Sequence, residues 1–224
     1  MSIKANIDHI RQQIPKHVAL VCVSKFQADE LIMEAYQAGE RIFGESKVQE
    51  MLAKHNRLPA DIHWHFIGHL QTNKVKYVVG FVDLIHGVDT LKLLKEINKQ
   101  GAKINRKVNC LLQIHIAAEE TKFGFDEVEI RKLFDVNSIS EFQNINFCGL
   151  MGMATYTDNQ EQLRSEFQLL KAIFDNLKSG VFLNCADFKI LSMGMSDDFP
   201  IAVESGSTMV RVGSRIFGNR NVCI

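Results

Sequence analysis

The feature that most constrains this chain is a regular alternation of short apolar runs with longer segments in which apolar residues recur at helical spacing. Runs that are apolar throughout and rich in β-branched residues predict strands buried on both faces, which are typical of a parallel sheet covered by helices. Residues 18–23 form such a run, and short β-rich runs occur in all at residues 18–24, 41–44, 62–68, 84–88, 108–116, 145–153, 188–193 and 209–212. The alternation therefore predicts an α/β fold built from βα repeats.

The segments between these runs carry the helical periodicity, at residues 29–38, 46–57, 90–99, 126–133 and 159–177. A further helix precedes the first run, because one stripe of it carries Ile3, Ile7, Ile10 and Ile14. We predict a single domain over residues 1–224, folded as a (βα)8 TIM barrel with an extra N-terminal helix. An open doubly wound sheet is the alternative. The absence of a GxGxxG run after the first strand weakens a nucleotide-binding version of that alternative.

Charge and hydropathy exclude several classes of partner. The 26 basic and 26 acidic residues cancel, and no run of like charges forms a patch for nucleic acid or for a membrane. The first residues lack the apolar core of a signal peptide, and no apolar run reaches the length of a membrane span. We therefore expect a soluble, cytoplasmic protein. The lack of an obvious exposed apolar helix face favours a monomer.

The cysteines are expected to carry no chemistry. They are odd in number and scattered, without a CxxC pair, at Cys22, Cys110, Cys148, Cys185 and Cys223. Three of them lie in apolar, strand-like runs, which favours ordinary buried thiols in a reducing compartment.

Lys25 is the first candidate for chemistry, because barrels of this type keep their reactive groups at the carboxyl ends of the strands. The two-residue period of a strand puts Val21, Val23 and Lys25 on one face. If that face lines the lumen, burial disfavours the charged amine, and a neutral lysine can add to a carbonyl group to form a Schiff base. The alternative is a lysine that extends to water at the end of a strand.

The last strand ends in a second group of polar residues, in the stretch STMVRVGSR. Arg211 and Gly213 share a strand face, so Arg211 is expected to point into the same funnel as Lys25. Gly213 and Ser214 open the following loop, where backbone amides can bind an anion, and Ser192 ends the neighbouring strand. Together they predict a phosphate site. The alternative is a Gly-Ser turn in which Arg211 pairs with a carboxylate.

Histidines near the strand ends offer a different interpretation, a catalytic metal site that hydrolyses amides or esters. The residues concerned are His63, His65, His69, His86 and His115. Against this interpretation, the HxH pair lies in the third run, and the last strand ends in arginine where such a site requires a carboxylate. We expect most of these histidines to be structural or hydrogen-bonding groups.

Six segments, taken together, closely resemble the pyridoxal phosphate homeostasis protein family, whose fold is similar to the amino-terminal barrel of alanine racemase. They are VSK, FGESKVQE, WHFIGHLQTNK, GLMGM, LSMGMSDD and STMVRVGSRIFG, and they run in order from Val23 to Gly218. The combination is specific, although no single segment is. One departure is Ser46, since the family usually has asparagine after FGE; the shorter side chain changes the hydrogen bonds available there.

The resemblance implies roles for the candidate residues. By it, Lys25 carries pyridoxal 5′-phosphate (PLP) as a Schiff base, and Arg211 faces the pyridine nitrogen. The phosphate contacts fall to Ser192, Gly213 and Ser214. PLP is therefore the expected cofactor, and no metal is expected.

The function implied by the resemblance is a PLP-binding protein that buffers PLP or delivers it to PLP-dependent apoenzymes, and so influences amino and keto acid pools. Arg211 is always protonated, which disfavours a protonated ring nitrogen and weakens the ring as an electron sink. Alanine racemases also take a tyrosine base from a second domain, whereas this sequence ends after the predicted barrel and only Tyr156 is expected near the rim. We therefore expect a non-enzymatic carrier with little or no turnover. The alternatives are a PLP-dependent amino acid racemase, a lysine Schiff-base aldolase and a metal-dependent hydrolase.

Overall fold

The structure, a computed structural model, describes residues 2–119, 123–134 and 139–218. Within these residues, eight parallel strands pair in sequence order, and the last strand closes on the first. They are β1 (Ala19–Val23), β2 (Ile42–Glu45), β3 (His63–Phe66), β4 (Leu84–Val88), β5 (Val108–His115), β6 (Ile145–Met153), β7 (Ile190–Ser192) and β8 (Met209–Val212). The predicted barrel is confirmed, and its closure excludes the open doubly wound sheet.

Helices connect the strands and cover the outside of the barrel. They are α1 (Ile3–Gln13), α2 (Asp29–Gln37), α3 (Val48–His55), α4 (Leu91–Lys103), α5 (Glu127–Leu133), α6 (Gln160–Ser179), α7 (Phe199–Glu204) and α8 (Ser214–Phe217). Short 3-10 helices occupy Thr72–Tyr77 and Ile139–Glu141. The predicted apolar stripe of α1 is confirmed, because all four isoleucines are buried.

The largest difference from a predicted helix boundary is at the end of α4. This helix continues to Lys103, past the expected end at residue 99, and includes Gly101. A Cβ atom at Gly101 would lie 2.8 Å from the carbonyl oxygen of Arg106. The glycine therefore lets the chain leading into β5 pass close to the helix, and this close approach outweighs the low helix propensity of glycine.

The apolar core has two parts. The larger part lies between the barrel wall and the helices, and includes the buried rings of Phe43, Trp64 and Phe167. The smaller part fills the lumen, with Val21, Leu84, Leu111, Cys148, Met151 and Met209. Val21 pairs in register with Arg211, two residues beyond Met209 on β8. The lumen is thus apolar away from the carboxyl ends of the strands, and its polar residues lie towards those ends.

The three cysteines that lie in strand-like runs are buried, as the sequence predicts. Cys22, Cys110 and Cys148 are buried free cysteines, and Cys185 is a half-buried one. Burial raises the pKa of the first two thiols well above the ordinary value, and that of Cys148 to about 11. Cys223 lies outside the described residues. None of the helices in the described ranges is long and apolar enough to cross a membrane.

Candidate functional site

Lys25 lies in a tight turn directly after β1, at the carboxyl rim of the barrel. The amide of Gln27 donates to the carbonyl oxygen of Ser24 at 3.0 Å, which closes the turn around Lys25 and Phe26. Phe26 has a φ of 64°, a conformation that a bulky residue adopts only when its surroundings hold it there, at a cost of about 1–3 kcal/mol. Lys25 itself is half-buried. Its predicted position at the mouth of the barrel is confirmed, with less burial than the apolar-funnel interpretation required.

Arg211 lies in the lumen and is 4% exposed. Its guanidinium donates to the carbonyl oxygen and the hydroxyl of Ser192, at 2.9 and 2.6 Å, and to the carbonyl oxygen of Gly152 at 3.1 Å. Burial lowers the pKa of Arg211 to about 10, against the smaller opposing effect of the Asp198 charge. The group therefore remains protonated at neutral pH. Among the described residues Arg211 has no carboxylate at ion-pair distance, so the expected alternative of a carboxylate pair does not apply there.

A chain of hydrogen bonds continues from Arg211 across the lumen. Ser192 Oγ lies 3.1 Å from His86 Nδ1, and His86 Nε2 lies 3.0 Å from His65 Nδ1. Burial is the main reason that the pKa of His65 falls to about 3 and that the pKa of His86 falls well below its ordinary value. Both imidazoles are therefore neutral at physiological pH.

Arg211 can only donate, so Ser192 Oγ accepts from it at one end of this chain. The two neutral imidazoles bond to each other through His86 Nε2 and His65 Nδ1, and one of these two atoms carries the proton. We call Arg211, Ser192, His86 and His65 the histidine network. It links the guanidinium to both imidazoles across the lumen.

The metal interpretation of the histidines finds no support in the described part of the chain, where no three histidine, cysteine or acidic side chains are grouped to hold a metal ion. His63 is largely exposed at the start of β3 and lies 3.4 Å from Asp83. His69 bonds to Asp89 at 2.7 Å. His115 Nε2 lies 2.9 Å from a backbone carbonyl oxygen. These histidines are hydrogen-bonding groups, as expected.

The loops that follow β7 and β8 meet at the predicted phosphate site. The amide of Gly213 donates to the hydroxyl of Ser196 at 3.3 Å, and Ser214 is exposed at the first residue of α8. A Cβ atom at Gly213 would lie 3.3 Å from both the side chain and the carbonyl oxygen of Val23, so glycine permits the close approach of this loop to the end of β1. Ser192 lies deeper, within the histidine network. Ser196, which was not predicted to contact phosphate, is the serine beside Gly213.

Several other polar residues at this end of the barrel had no predicted role. His65 and His86 were considered as metal ligands or as structural, hydrogen-bonding groups, and Glu45, Glu50 and Lys54 were not singled out at all. A signal for Lys54 exists in the sequence, since Val48, Met51 and Lys54 follow each other at three-residue spacing on the face of α3 that is buried. A lysine on that face requires buried partners, which the sequence alone does not identify.

Comparison with known proteins gives consistent matches over almost the whole chain. The family model of the alanine racemase N-terminal domain matches residues 1–221. A protein of Aquifex aeolicus named pyridoxal phosphate homeostasis protein is 41% identical, over 90% of this chain and 86% of that protein. A Schizosaccharomyces pombe protein of the same name is 35% identical, over 98% of this chain and 93% of that protein.

Solved structures agree with these matches. The structure of PipY of Synechococcus elongatus was determined with PLP bound. PipY is 33% identical to this chain and superposes with a TM-score of 0.87, over 97% of this chain and 100% of PipY. Alanine racemase of Bartonella henselae is 18% identical with a TM-score of 0.72, covering 98% of this chain and 60% of that one. The second likeness concerns the fold alone.

Proposed function

Because this chain belongs to the pyridoxal phosphate homeostasis protein family, we propose that it binds PLP reversibly through Lys25, buffers its free concentration and delivers it to PLP-dependent apoenzymes. One observation carries the proposal. Lys25 follows β1, and the buried guanidinium of Arg211 lies on β8, the strand paired with β1, towards the same end of the lumen. An amine for the aldehyde and a cation for the pyridine nitrogen are thus available on neighbouring strands.

Lys25 would form the covalent link. Its neutral amine adds to the aldehyde carbon of PLP, a proton moves from nitrogen to oxygen, and water leaves as the C=N bond forms. Addition of water reverses the sequence and releases PLP unchanged, so no oxidant or second substrate is required. Reversibility of this kind suits a protein that stores a cofactor and gives it up.

The phosphate group would bind where the loops after β7 and β8 meet. Backbone amides and hydroxyl groups suit a phosphate oxygen, and the amide of Gly213 and the hydroxyls of Ser196 and Ser214 are such groups. The hydroxyl of Ser192, by contrast, is already bonded to Arg211 and His86. We therefore propose that Ser192 orients Arg211, and that Ser196 takes the phosphate contact that the resemblance implies for Ser192.

Low turnover is the second part of the proposal. In PLP enzymes the protonated ring of the cofactor withdraws electrons from the bound amino acid. Arg211 carries a full charge and bonds only to neutral oxygen atoms of described residues, so it opposes a proton on the ring nitrogen that it faces. Tyr156, the tyrosine expected nearest the rim, is 89% exposed, so its hydroxyl is poorly placed to act as a held base.

The proposal is tested by mixing the purified chain with PLP and recording its visible absorption before and after borohydride reduction. Peptide mapping then locates the reduced adduct. We expect a single major adduct on Lys25, with exposed Lys47 as an internal comparison on the adjacent loop. A protein that stays colourless and unmodified would contradict the function. A major adduct on another lysine would contradict the assigned site while leaving PLP binding in place.

A further inference from the structure

Lys54 is a buried cation that the proposed PLP contacts do not use. Its side chain on α3 is 4% exposed, and Nζ lies 2.8 Å from Glu45 Oε1 and 2.7 Å from Glu50 Oε1. The third acceptor is the carbonyl oxygen of Ser24, at 2.8 Å. A lysine ammonium has three donors, and all three are satisfied here. Lys54 is therefore a structural cation and not a second nucleophile.

The same group of side chains reaches both neighbours of Lys25. The hydroxyl of Ser24 donates to Glu45 Oε1 at 2.6 Å, and the amide of Phe26 donates to Glu50 Oε1 at 2.6 Å. The chain on either side of Lys25 is thus bonded to β2 and α3, which are separate elements from the one that carries the lysine. These contacts account for the positive φ of Phe26, since a turn of this kind persists only when its surroundings hold it.

The cluster contains costly features that concentrate around Lys25. Glu45 is fully buried, and burial is the main cause that raises the pKa of its carboxyl, with Lys54 acting in the opposite direction. Its Oε2 atom has no hydrogen-bond partner among the described residues. Buried charge, an unpaired carboxylate oxygen and a strained aromatic residue are each unfavourable for folding alone. These unfavourable features all lie next to Lys25, which indicates that they are retained because they position this lysine.

We propose that Glu45, Glu50 and Lys54, which we call the lysine network, form a positioning device that orients Lys25 for the capture of PLP. This inference deepens the proposed function and rests on it, since the amine that the network positions is the one that captures the aldehyde. Orientation strongly affects the rate of such an addition, because a misplacement of about 1 Å can cost about a hundredfold.

Two variants at Glu50 give the sharpest test, since the side chain of Glu50 is only partly buried, with 20% of it exposed. Glu50→Gln keeps an oxygen that can accept from Phe26 but loses the charge, whereas Glu50→Ala loses both. We expect the rate of PLP capture, followed by visible absorption at one PLP concentration, to fall about tenfold in Glu50→Ala and to stay within about twofold of wild type in Glu50→Gln. A purely structural role would not separate these capture rates in proteins of equal stability.

Lys54→Met removes all three donors at similar side-chain volume, and we expect it to slow capture at least as much as Glu50→Ala. Its matched control is Lys47→Met. Lys47 is exposed, and its ammonium lies 4.7 Å from the ring centroid of Phe26, yet it donates no hydrogen bond to the described residues of the turn. Loss of this nearby charge is expected to change the capture rate by no more than about twofold.

Amide hydrogen exchange of the free chain provides a readout that does not depend on PLP. In Glu50→Ala and Lys54→Met we expect faster exchange at the amides of Phe26 and Gln27, with protection in β5 and β6 unchanged. If wild type fails to capture PLP, the proposed function fails, while the exchange data still decide on the network. Unchanged capture and unchanged exchange in Glu50→Ala would overturn the lysine network, as would slow capture that Glu50→Gln does not rescue. If Lys54→Met fails to fold, the Glu50 pair decides.

Discussion

The histidine network and the lysine network are two buried polar clusters at the same end of the barrel, and they handle buried charge in opposite ways. In the histidine network the cation is Arg211, and its described acceptors are neutral carbonyl and hydroxyl oxygens. In the lysine network the cation is Lys54, which lies between the carboxylates of Glu45 and Glu50. The difference is that Arg211 has no carboxylate at ion-pair distance among the described residues, whereas Lys54 has two.

The contrast indicates different roles for Arg211 and Lys54 in the proposed PLP site. An uncompensated guanidinium exerts its charge on whatever lies in front of it, which in the proposed function is the pyridine nitrogen. The positive charge of an ammonium held between two carboxylates is cancelled, so Lys54 acts mainly through the geometry of its hydrogen bonds. In the proposed function, the histidine network would therefore act on the reactivity of PLP, and the lysine network on its capture.

Among the variants that test this comparison, Arg211→Met is expected to have the largest effect on stability. It replaces the guanidinium with an uncharged side chain of similar length. The carbonyl oxygens of Ser192 and Gly152 and the hydroxyl of Ser192 lose their donor in a buried setting. We expect the free energy of unfolding in urea to fall by about 3 kcal/mol. The control is Arg57→Met, because Arg57 forms an exposed pair with Asp29 and should contribute less than about 1 kcal/mol. Equal losses in the two variants would contradict the buried role of Arg211.

An intermediate effect is expected from pH, because His65 and His86 have lowered pKa values in the folded chain. Above about pH 6.5 the two histidines are neutral in both the folded and the unfolded chain, so the stability that they contribute is fully present. Below that pH they become protonated in the unfolded chain but stay neutral in the folded chain. Stability is then lost by up to about 1.4 kcal/mol per pH unit for each histidine, until the pH approaches the folded pKa.

His86→Gln checks this expectation, with urea unfolding between pH 7 and pH 5. The slope of stability against pH should decrease by up to about 1.4 kcal/mol per pH unit relative to wild type. His17→Gln is the matched control, since His17 is exposed and has no part in the histidine network, and it should leave the slope unchanged. Burial raises the pKa of Glu45, so this residue changes the slope of stability against pH in the opposite direction. The change is the same in wild type and in His86→Gln, and it cancels from the comparison. Parallel slopes in wild type and His86→Gln would show that His86 takes up protons normally.

The smallest effect is expected from Ser192→Ala, which breaks the link between Arg211 and His86 but keeps the backbone carbonyl that Arg211 also uses. One acceptor for Arg211 and one hydrogen bond with His86 are lost, so we expect a loss of about 1 kcal/mol. Thermal unfolding beside Ser179→Ala, an exposed serine near the end of α6, measures the difference. A change as large as that of Arg211→Met would mean that the hydroxyl, and not the two carbonyl oxygens, is the main support of the guanidinium.

The parts of this molecule that follow from local patterns could be predicted from sequence. Alternation of apolar runs and helical segments is a local signal, and it predicted the barrel and the position of Lys25 at a strand end. Period two on β8 likewise predicted that Arg211 faces the lumen, where it is 4% exposed.

The contacts that depend on closure of the barrel could not be predicted in the same way. Ser192 and His86 are 106 residues apart in the chain, and nothing local to either residue indicates the other. Lys54 was missed because lysine normally lies on the exposed face of a helix, and only the assembled barrel brings Ser24 and Glu45 to it. The phosphate contact of Ser192 stays a prediction, and the sequence pattern could not show that its hydroxyl also bonds to Arg211 and His86.

The central claim is that this chain holds PLP without using it to activate amino acids. Its most direct test is solvent-deuterium exchange: the PLP-loaded chain is incubated in D2O with each common amino acid in turn, and deuterium at Cα is measured by mass spectrometry. We expect no incorporation beyond that produced by an equal concentration of free PLP. Incorporation at a catalytic rate for any amino acid would contradict the claim and identify the chain as a PLP enzyme.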